Sequence, residues 1–432
     1  MKKSSLKIVL INPPSNCVND DRVEPPLGLL YLASNLRGNG YRNVSVCDMS
    51  GSRSGLEIRE RIESVPSADI YGITCLCTNY QYAKDVIRHI RSTNKLAYVV
   101  IGGPNPSGTP EFTCDDSGAD VVVVGEGEDI FKECIDSFVG GSRLTGIQNG
   151  VGRKDIDSYA FPARDLVDFT TYSRELMGNK VISLLSSRGC KHHCAHCNSV
   201  VMGGGNRIVR YRSADNTIEE ISTMRGSYKY YRFDDDHFTG NPNLEELLMK
   251  IKNLDIIFRI FARIEDLNEK NSRLLREAGC VHVSIGLESL YPPNLRIIGK
   301  KSQVGYEENV QIAKSNGLVV RSSFMVGLPF DTDETIGQSF TRAARLGLDE
   351  FAIYPLIPYP GTTIAKFPER FGYTIVSEDF TDYVQMGKDG RTCFALKHKN
   401  FDPEDVKRWL KVATKILKSG GVKHMSESEV AK

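Results

Sequence analysis

Residues 181–198 read Val181-Ile182-Ser183-Leu184-Leu185-Ser186-Ser187-Arg188-Gly189-Cys190-Lys191-His192-His193-Cys194-Ala195-His196-Cys197-Asn198. The first five residues form a β-rich apolar run, and the loop that follows carries three cysteines. The strand pattern repeats downstream. Tyr230–Phe233, Ile257–Phe261, Val281–Ile285, Val319–Met325 and Phe351–Tyr354 are further predicted strands. Helical spacing near 217–226, 243–253, 269–278, 306–316 and 334–346 separates them. Six βα units over about 180 residues predict a partial, TIM-like (β/α)6 barrel across 176–365. Active sites in such barrels gather at the strand C-termini, so the cysteine loop lies on the functional face.

The alternation also runs upstream. Leu6–Ile11, Val44–Cys47, Ile70–Thr74, Tyr98–Ile101 and Val121–Val124 are strand-like, with helical spacing at Leu27–Arg37 and around Val86, Ile87 and Ile90. This predicts a Rossmann-like α/β domain over 1–145, with helices on both faces of a parallel sheet. Its ligand loops fall at the strand C-termini. They carry Thr74 and Cys75, then Gly102-Gly103-Pro104, then Gly125-Glu126-Gly127-Glu128. Residues 146–175 read as a linker and 366–432 as a small C-terminal helical region. In that region Asp402–Lys418 predicts a helix with Pro403 in its first turn.

Lys+Arg and Asp+Glu number 55 and 54, a net charge of +1. That balance gives no electrostatic basis for a nucleic-acid partner. No apolar run is long enough to span a bilayer. The expected location is cytoplasmic. Eight of the eleven cysteines, including Cys47, Cys75 and Cys77, read as buried apolar residues of a reducing compartment.

The other three need a separate account. The spacing C-x3-C-x2-C can wrap one face of a 4Fe–4S cubane and leaves one iron open to a small chelating ligand. Structural zinc is the rival. It wants four ligands, and His192, His193 or His196 could supply the fourth. Three carboxylates at Asp234, Asp235 and Asp236 end the second barrel strand, and suit an ammonium group or a solvated turn. Arg321 interrupts an apolar strand, and is either a paired structural charge or an inward-pointing partner for a carboxylate.

C-x3-C-x-aromatic-C after the first strand of such a barrel resembles the radical S-adenosylmethionine superfamily, with His196 in the aromatic slot. The resemblance covers about 175–365. Further matching motifs fall in order: Asp234–Asp236, Arg263, Gly286–Ser289, Gly327-Leu328-Pro329 and Pro358–Thr362. It implies that Cys190, Cys194 and Cys197 hold a 4Fe–4S cluster. The open iron would chelate S-adenosylmethionine, whose cleavage yields a 5′-deoxyadenosyl radical. Residues implied to bind S-adenosylmethionine are His196, Asp234, Asp235, Asp236, Arg263, Glu288, Ser289 and Arg321, with Asp235 nominally foremost for the methionine amino group.

Residues 1–150 resemble the cobalamin-binding domain found upstream of many such barrels. INPP at 11–14, PPLGLLYLASNLRGNGY at 25–41, VIGGPNP at 100–106, ADVVVVGEGE at 119–128 and FPARDL at 161–166 carry the likeness. The Asp-x-His-x-x-Gly motif, whose histidine ligates cobalt, is missing. The resemblance implies cobalamin at Thr74, Cys75, Gly102, Gly103, Pro104, Gly125, Glu126, Gly127 and Glu128. It implies an enzyme that methylates an unactivated carbon or a phosphinate in natural-product or cofactor biosynthesis. The expected partners are a small-molecule substrate and an external electron donor such as flavodoxin or ferredoxin. The alternatives are a radical cyclase or rearrangement enzyme, a 3-amino-3-carboxypropyl transferase, and a non-enzymatic zinc- or cluster-binding module. Substrate contacts are expected from 366–432, where Cys393 lies, and from Met202–Asn206.

Overall fold

Short β-branched runs between amphipathic helices build the first sheet. In the computed structural model, which describes residues 3–15, 18, 20–52, 54–203, 208–300, 305–384 and 395–427, it has six strands. They are β1 (Ile8–Asn12), β2 (Val44–Asp48), β3 (Ile70–Thr74), β4 (Tyr98–Gly102), β5 (Val121–Gly125) and β6 (Gly146–Gly150). All pair in parallel, in the order β2-β1-β3-β4-β5-β6. Val9, Ile11, Tyr71 and Ile73 pack on one face with Ala83, Val86, Ile87 and Ile90 of helix Tyr80–Thr93. Ile8, Leu10, Val100 and Val121 pack on the other face with helices Leu27–Gly38 and Glu128–Val139. Burial on both faces explains why the strands read as unbroken apolar runs. The strand order reverses between β1 and β3, which opens a crevice at their C-terminal ends.

The sixth strand corrects the expected boundary at 145. Gly146-Ile147-Gln148-Asn149-Gly150 has neither alternation nor β-branched enrichment. As an edge strand it is held by its register with Val121–Gly125.

A hairpin of β7 (Glu175–Leu176) and β8 (Asn179–Lys180) leads into the second domain. There follow β9 (Ile182–Leu184), β10 (Ser187–Arg188), β11 (Arg210–Tyr211), β12 (Tyr230–Phe233), β13 (Ile257–Ala262), β14 (Cys280–Glu288), β15 (Val319–Val326) and β16 (Glu350–Pro355). The C-terminal region adds β17 (Tyr373–Ile375), β18 (Leu396–His398) and β19 (Lys423–His424). Among the described residues a seven-stranded parallel sheet runs β19-β16-β15-β14-β13-β12-β9, with β9 and β19 as its end strands: an open barrel. The six predicted strands are all present. The two-residue β19 carries no sequence signal and was not anticipated. The C-terminal helix spans Pro403–Ser419, and the Asp402 side chain caps it by accepting from the backbone N–H groups of Glu404 and Asp405.

Outward-facing Tyr231, Phe233, Phe258, Ile260, Val283, Ile285, Val320 and Phe351 join the main apolar core. The inward face is different. Register sets Arg232 beside Arg259, Arg259 beside His282, Ser284 beside Arg321, and Arg321 beside Glu350. A row of polar and charged side chains thus crosses five strands inside the barrel.

His282 is fully buried in this row, 3.2 Å from Glu350 Oε2 through Nε2. Burial, aided by the Arg259 charge, pushes the imidazole down to about 4 against the pull of Glu350. The native state therefore keeps His282 neutral where the unfolded chain takes up a proton. Stability contributed by this group is complete above about pH 6.5 and is lost as pH falls toward 4. The full loss is about 3 kcal/mol, about 2 of it by pH 5. His282→Gln should flatten that stretch of the profile. Urea unfolding of both proteins at pH 7 and pH 5 measures the difference, and parallel profiles would count against it.

Candidate functional site

The cysteine loop begins where β9 ends, and a buried carboxylate fixes its entry. Asp235 is 1% exposed. It accepts from Ser186 N at 3.0 Å, Ser186 Oγ at 2.7 Å and Ser187 Oγ at 2.5 Å. The first place among the three aspartates for binding an amine does not hold for Asp235. Its oxygens are already spent on positioning the loop. Ser187 and Arg188 then pair antiparallel with Tyr211 and Arg210. Gly189 takes φ +94°, and a Cβ there would stand 2.7 Å from the Ile208 carbonyl oxygen, so only glycine makes this turn.

Cys190, Cys194 and Cys197 are part-buried and free. Burial raises all three thiols, and both Cys190 and Cys194 also feel the charge of Cys197. Cys197 Sγ donates to Ser199 Oγ at 3.3 Å, and Ser199 Oγ donates to Asp236 Oδ1 at 2.7 Å. Among the described residues no three His, Cys, Asp or Glu side chains converge on a point able to hold one metal ion.

Other expected residues surround this loop. Arg263 pairs with Glu265 at 2.8 Å, and its charge reaches Cys190 and Cys194. Glu288 adopts φ +61° and sits 3.1 Å from Lys300. Burial opposes ionisation of Glu288, yet Lys300, His196 and Arg263 hold its carboxyl below the usual range. His196 Nδ1 has no partner among the described residues. Ser289 Oγ accepts from Tyr291 N and stabilises the turn after β14. Asp234 is raised to about 6, first by burial, although Arg232 lies 2.5 Å away. Arg321 stands in register beside Glu350, as the inward-pointing reading of the sequence expects. It lies third in the eight-residue β15, and its charge acts on Arg259 and His282 inside the barrel.

A cavity of about 480 Å³ separates the two sheets. Thr74, Gly102, Gly103, Pro104, Gly125, Glu126, Gly127 and Glu128 line one wall. Ser187, Gly189, Ser199, Asp234 and Asp236 line the other. Leu27, Leu29, Leu32, Val100, Val123 and Phe131 give it apolar surface. Small and apolar walls fit a flat macrocycle approaching the backbone. Among the described lining residues there is no histidine to ligate cobalt. Cys75 does not line the cavity. It is fully buried, and its thiol donates to Leu76 O.

Glu126 and Glu128 line the cavity, but their carboxylates are committed to the other domain. Glu126 Oε2 takes Arg188 at 2.9 Å, Oε1 pairs with Arg210, and Tyr159 donates at 3.2 Å. Glu128 pairs with Arg188 at 2.8 Å. The Arg188 guanidinium also lies over the Tyr31 and Tyr159 rings, at 4.8 and 4.6 Å. The Gly-Glu-Gly-Glu turn therefore grips the residue two before Cys190. Sequence reasoning missed Arg188, Ser199, Arg210 and Lys300. The one available signal was that Arg188 and Ser199 flank the cysteine run. Cys393 and residues 204–206 lie outside the described residues. No helix of the described residues is long and apolar enough to cross a membrane.

Residues 184–343 match the family model described as the radical SAM superfamily, and residues 17–135 match the B12 binding domain. The chain is 32% identical to an uncharacterized methyltransferase, PH0819, of Pyrococcus horikoshii, over 94% of this chain and 91% of that protein. It is 25% identical to the anaerobic magnesium-protoporphyrin IX monomethyl ester cyclase of Rubrivivax gelatinosus, over 78% of this chain and 65% of that one. The fold matches the radical S-adenosylmethionine methyltransferase TsrM of Kitasatospora setae. With tryptophan and an S-adenosylmethionine analogue bound, that structure gives a TM-score of 0.71 at 18% identity, covering 96% of this chain and 89% of that one. With cobalamin and a [4Fe-4S] cluster bound it gives 0.70 at 17% identity over the same shares.

Proposed function

The chain belongs to the radical S-adenosylmethionine superfamily, in its branch with an N-terminal B12-binding domain, and on that premise we propose that it methylates an unactivated carbon or a phosphinate of a small molecule. The observation that carries this reading is the shared cavity, with the Gly102-Gly103-Pro104 wall facing Gly189, Ser199 and Asp236. When bound, the cluster supplies one-electron cleavage of S-adenosylmethionine, and cobalamin carries the methyl group. Cys190, Cys194 and Cys197 hold the cluster. Asp236 borders both the cavity and the Cys197–Ser199 chain of hydrogen bonds, which suits it to orient a bound ammonium group. Arg263 and Glu288, whose charges both reach Cys194, supply one positive and one negative partner for the rest of the methionine moiety. Thr74 and the backbone of Gly102–Pro104 and Gly125–Gly127 cradle the corrin. The leucines, valines and Phe131 of the same wall exclude water from it. An external electron donor such as flavodoxin or ferredoxin serves the cluster in the cytoplasm.

The relative named for ring closure supports a second reading, a radical cyclase. Product analysis separates the readings. Anaerobic protein, reconstituted with cluster and hydroxocobalamin and given titanium(III) citrate, which reduces both, and S-adenosylmethionine, should release 5′-deoxyadenosine together with S-adenosylhomocysteine, the latter from methylation of the reduced cobalamin. Methylthioadenosine in their place would point to 3-amino-3-carboxypropyl transfer. 5′-Deoxyadenosine with no S-adenosylhomocysteine would sink methyl transfer and leave the cyclase.

A further inference from the structure

The polar row inside the barrel holds more positive charge than its neighbours neutralise. Arg232, Arg321 and Arg174 all act electrostatically on Arg259, and Arg232 also acts on Arg174. The carboxylates at hand are committed. Glu24 takes both Arg174, at 2.8 Å, and Arg232, while Asp234 takes Arg232. Glu350 faces the neutral His282 at 3.2 Å and stands in register beside Arg321, so four guanidiniums share three carboxylates. Among the described residues, the salt bridges leave Arg259 and Arg321 without a carboxylate partner.

Both are nonetheless buried. Arg259 is 2% exposed and Arg321 is 7% exposed. Arg259 donates one bond, from Nη2 to Ser284 Oγ at 2.9 Å. Its Nε and Nη1, and Arg321 Nε, have no partner among the described residues. An unpaired buried cation is destabilising, and orphaned donors add to that. The strain is visible in Arg259 itself. Burial, then the charges of Arg232, Arg321 and Arg174, push its guanidinium down to about 9. A structural role would be served better by apolar residues of similar size. An oxyanion ligand would resolve both the charge and the open donors.

The row also reaches the reaction space. Asp234 lines the cavity between the sheets and pairs with Arg232, which stands in register beside Arg259. Neither Arg259 nor Arg321 lines that cavity, so a molecule whose reacting carbon faces it would meet the row from its Arg232 end.

We propose that the substrate carries an oxyanion, a carboxylate or a phosphate-type group, and that Arg259 and Arg321 bind it inside the barrel. This rests on the reading that substrate is transformed at the cavity. S-Adenosylmethionine also has a carboxylate, so the test must distinguish it from a substrate group.

The probes are inorganic phosphate and acetate, added to the cluster-reconstituted full chain against chloride of equal ionic strength. Phosphate or acetate should raise the thermal midpoint saturably beyond chloride, and whichever anion does so reports which oxyanion class fits. Arg259→Gln and Arg321→Gln should each weaken that response at least tenfold. Saturating S-adenosylmethionine should leave it intact. Competition by S-adenosylmethionine would assign the row to the cofactor's carboxylate and overturn the proposal. So would a wild-type response no larger than that of chloride. Because a glutamine variant can lose stability on its own account, wild-type crystals soaked in selenate give an independent check. An anomalous peak within hydrogen-bonding reach of Arg259 and Arg321 is expected, and a peak only elsewhere would overturn the assignment. S-Adenosylhomocysteine formation is measured separately, so failure of methyl transfer and failure of the anion site give different results.

Discussion

Replacing Cys190, Cys194 or Cys197 with alanine is expected to strip the protein of iron and sulfide and to lower S-adenosylmethionine cleavage by roughly three orders of magnitude or more. The fold should survive the change. None of the three thiols is fully buried, and their hydrogen bonds are local: Cys190 with the His192 backbone and Cys197 with Ser199. The loop's shape is set instead by Asp235, Gly189 and the pairing of Ser187 and Arg188 with Tyr211 and Arg210. Iron and sulfide content, far-ultraviolet circular dichroism and 5′-deoxyadenosine yield measure the three parts of the claim. A folded alanine variant with wild-type iron content would show that the cysteine is not a ligand.

The second large effect is expected at Glu126, far from the cysteines in sequence. Its side chain is 15% exposed and joins Arg188 and Arg210, themselves 16% and 14% exposed. Glu126→Ala leaves two guanidiniums of the second domain, Arg188 and Arg210 on the paired strands β10 and β11, without this partner across the domain boundary. Stranding buried charge in this way typically costs about 3–5 kcal/mol. The loss should appear as loosened docking of the B12-binding domain, with faster cobalamin release and easier proteolysis between the domains. Removing the charges together is cheaper than removing one. Glu126→Leu combined with Arg210→Met should therefore recover part of the stability, although Arg188 keeps Glu128. Equal losses in the single and double variants would mean that the ion pair contributes nothing to docking. Glycine at 108 belongs to the same boundary. A Cβ there would lie 2.4 Å from the Pro360 carbonyl oxygen, so the two domains touch backbone to backbone.

Periodicity made the strands and helices of both domains legible, because each apolar run answers to a buried face. It could not show β6 or β19. An edge strand of Gly146–Gly150 and a two-residue strand at Lys423–His424 are held by pairing, not by their own composition. The cysteine loop was readable because its ligand types and spacing are local. The partners of Glu126 were not, since Arg188 and Arg210 lie 62 and 84 residues away. The same holds for Asp235. Three adjacent aspartates look alike in sequence, and only the fold buries one, pairs another with Arg232 and leaves the third beside Ser199. Arg321 was visible as an anomaly in an apolar strand, but its company of Arg259, His282 and Glu350 comes from strands far apart in the chain.

The short strand β19 bears on the order in which the protein is made. Lys423 and His424 cover the outer edge of β16, and the helix Pro403–Ser419 packs behind that edge. During synthesis the first sheet is complete by residue 150, and the cysteine loop emerges soon after. The exposed edge of β16 must then wait for some seventy more residues, which at about 5–20 residues per second is several seconds or longer on the ribosome. Until then the nascent barrel presents an unpaired parallel edge, the feature most prone to pairing with a neighbouring chain. Translation speed through 356–424 thus bears on how much protein survives to receive its cofactors.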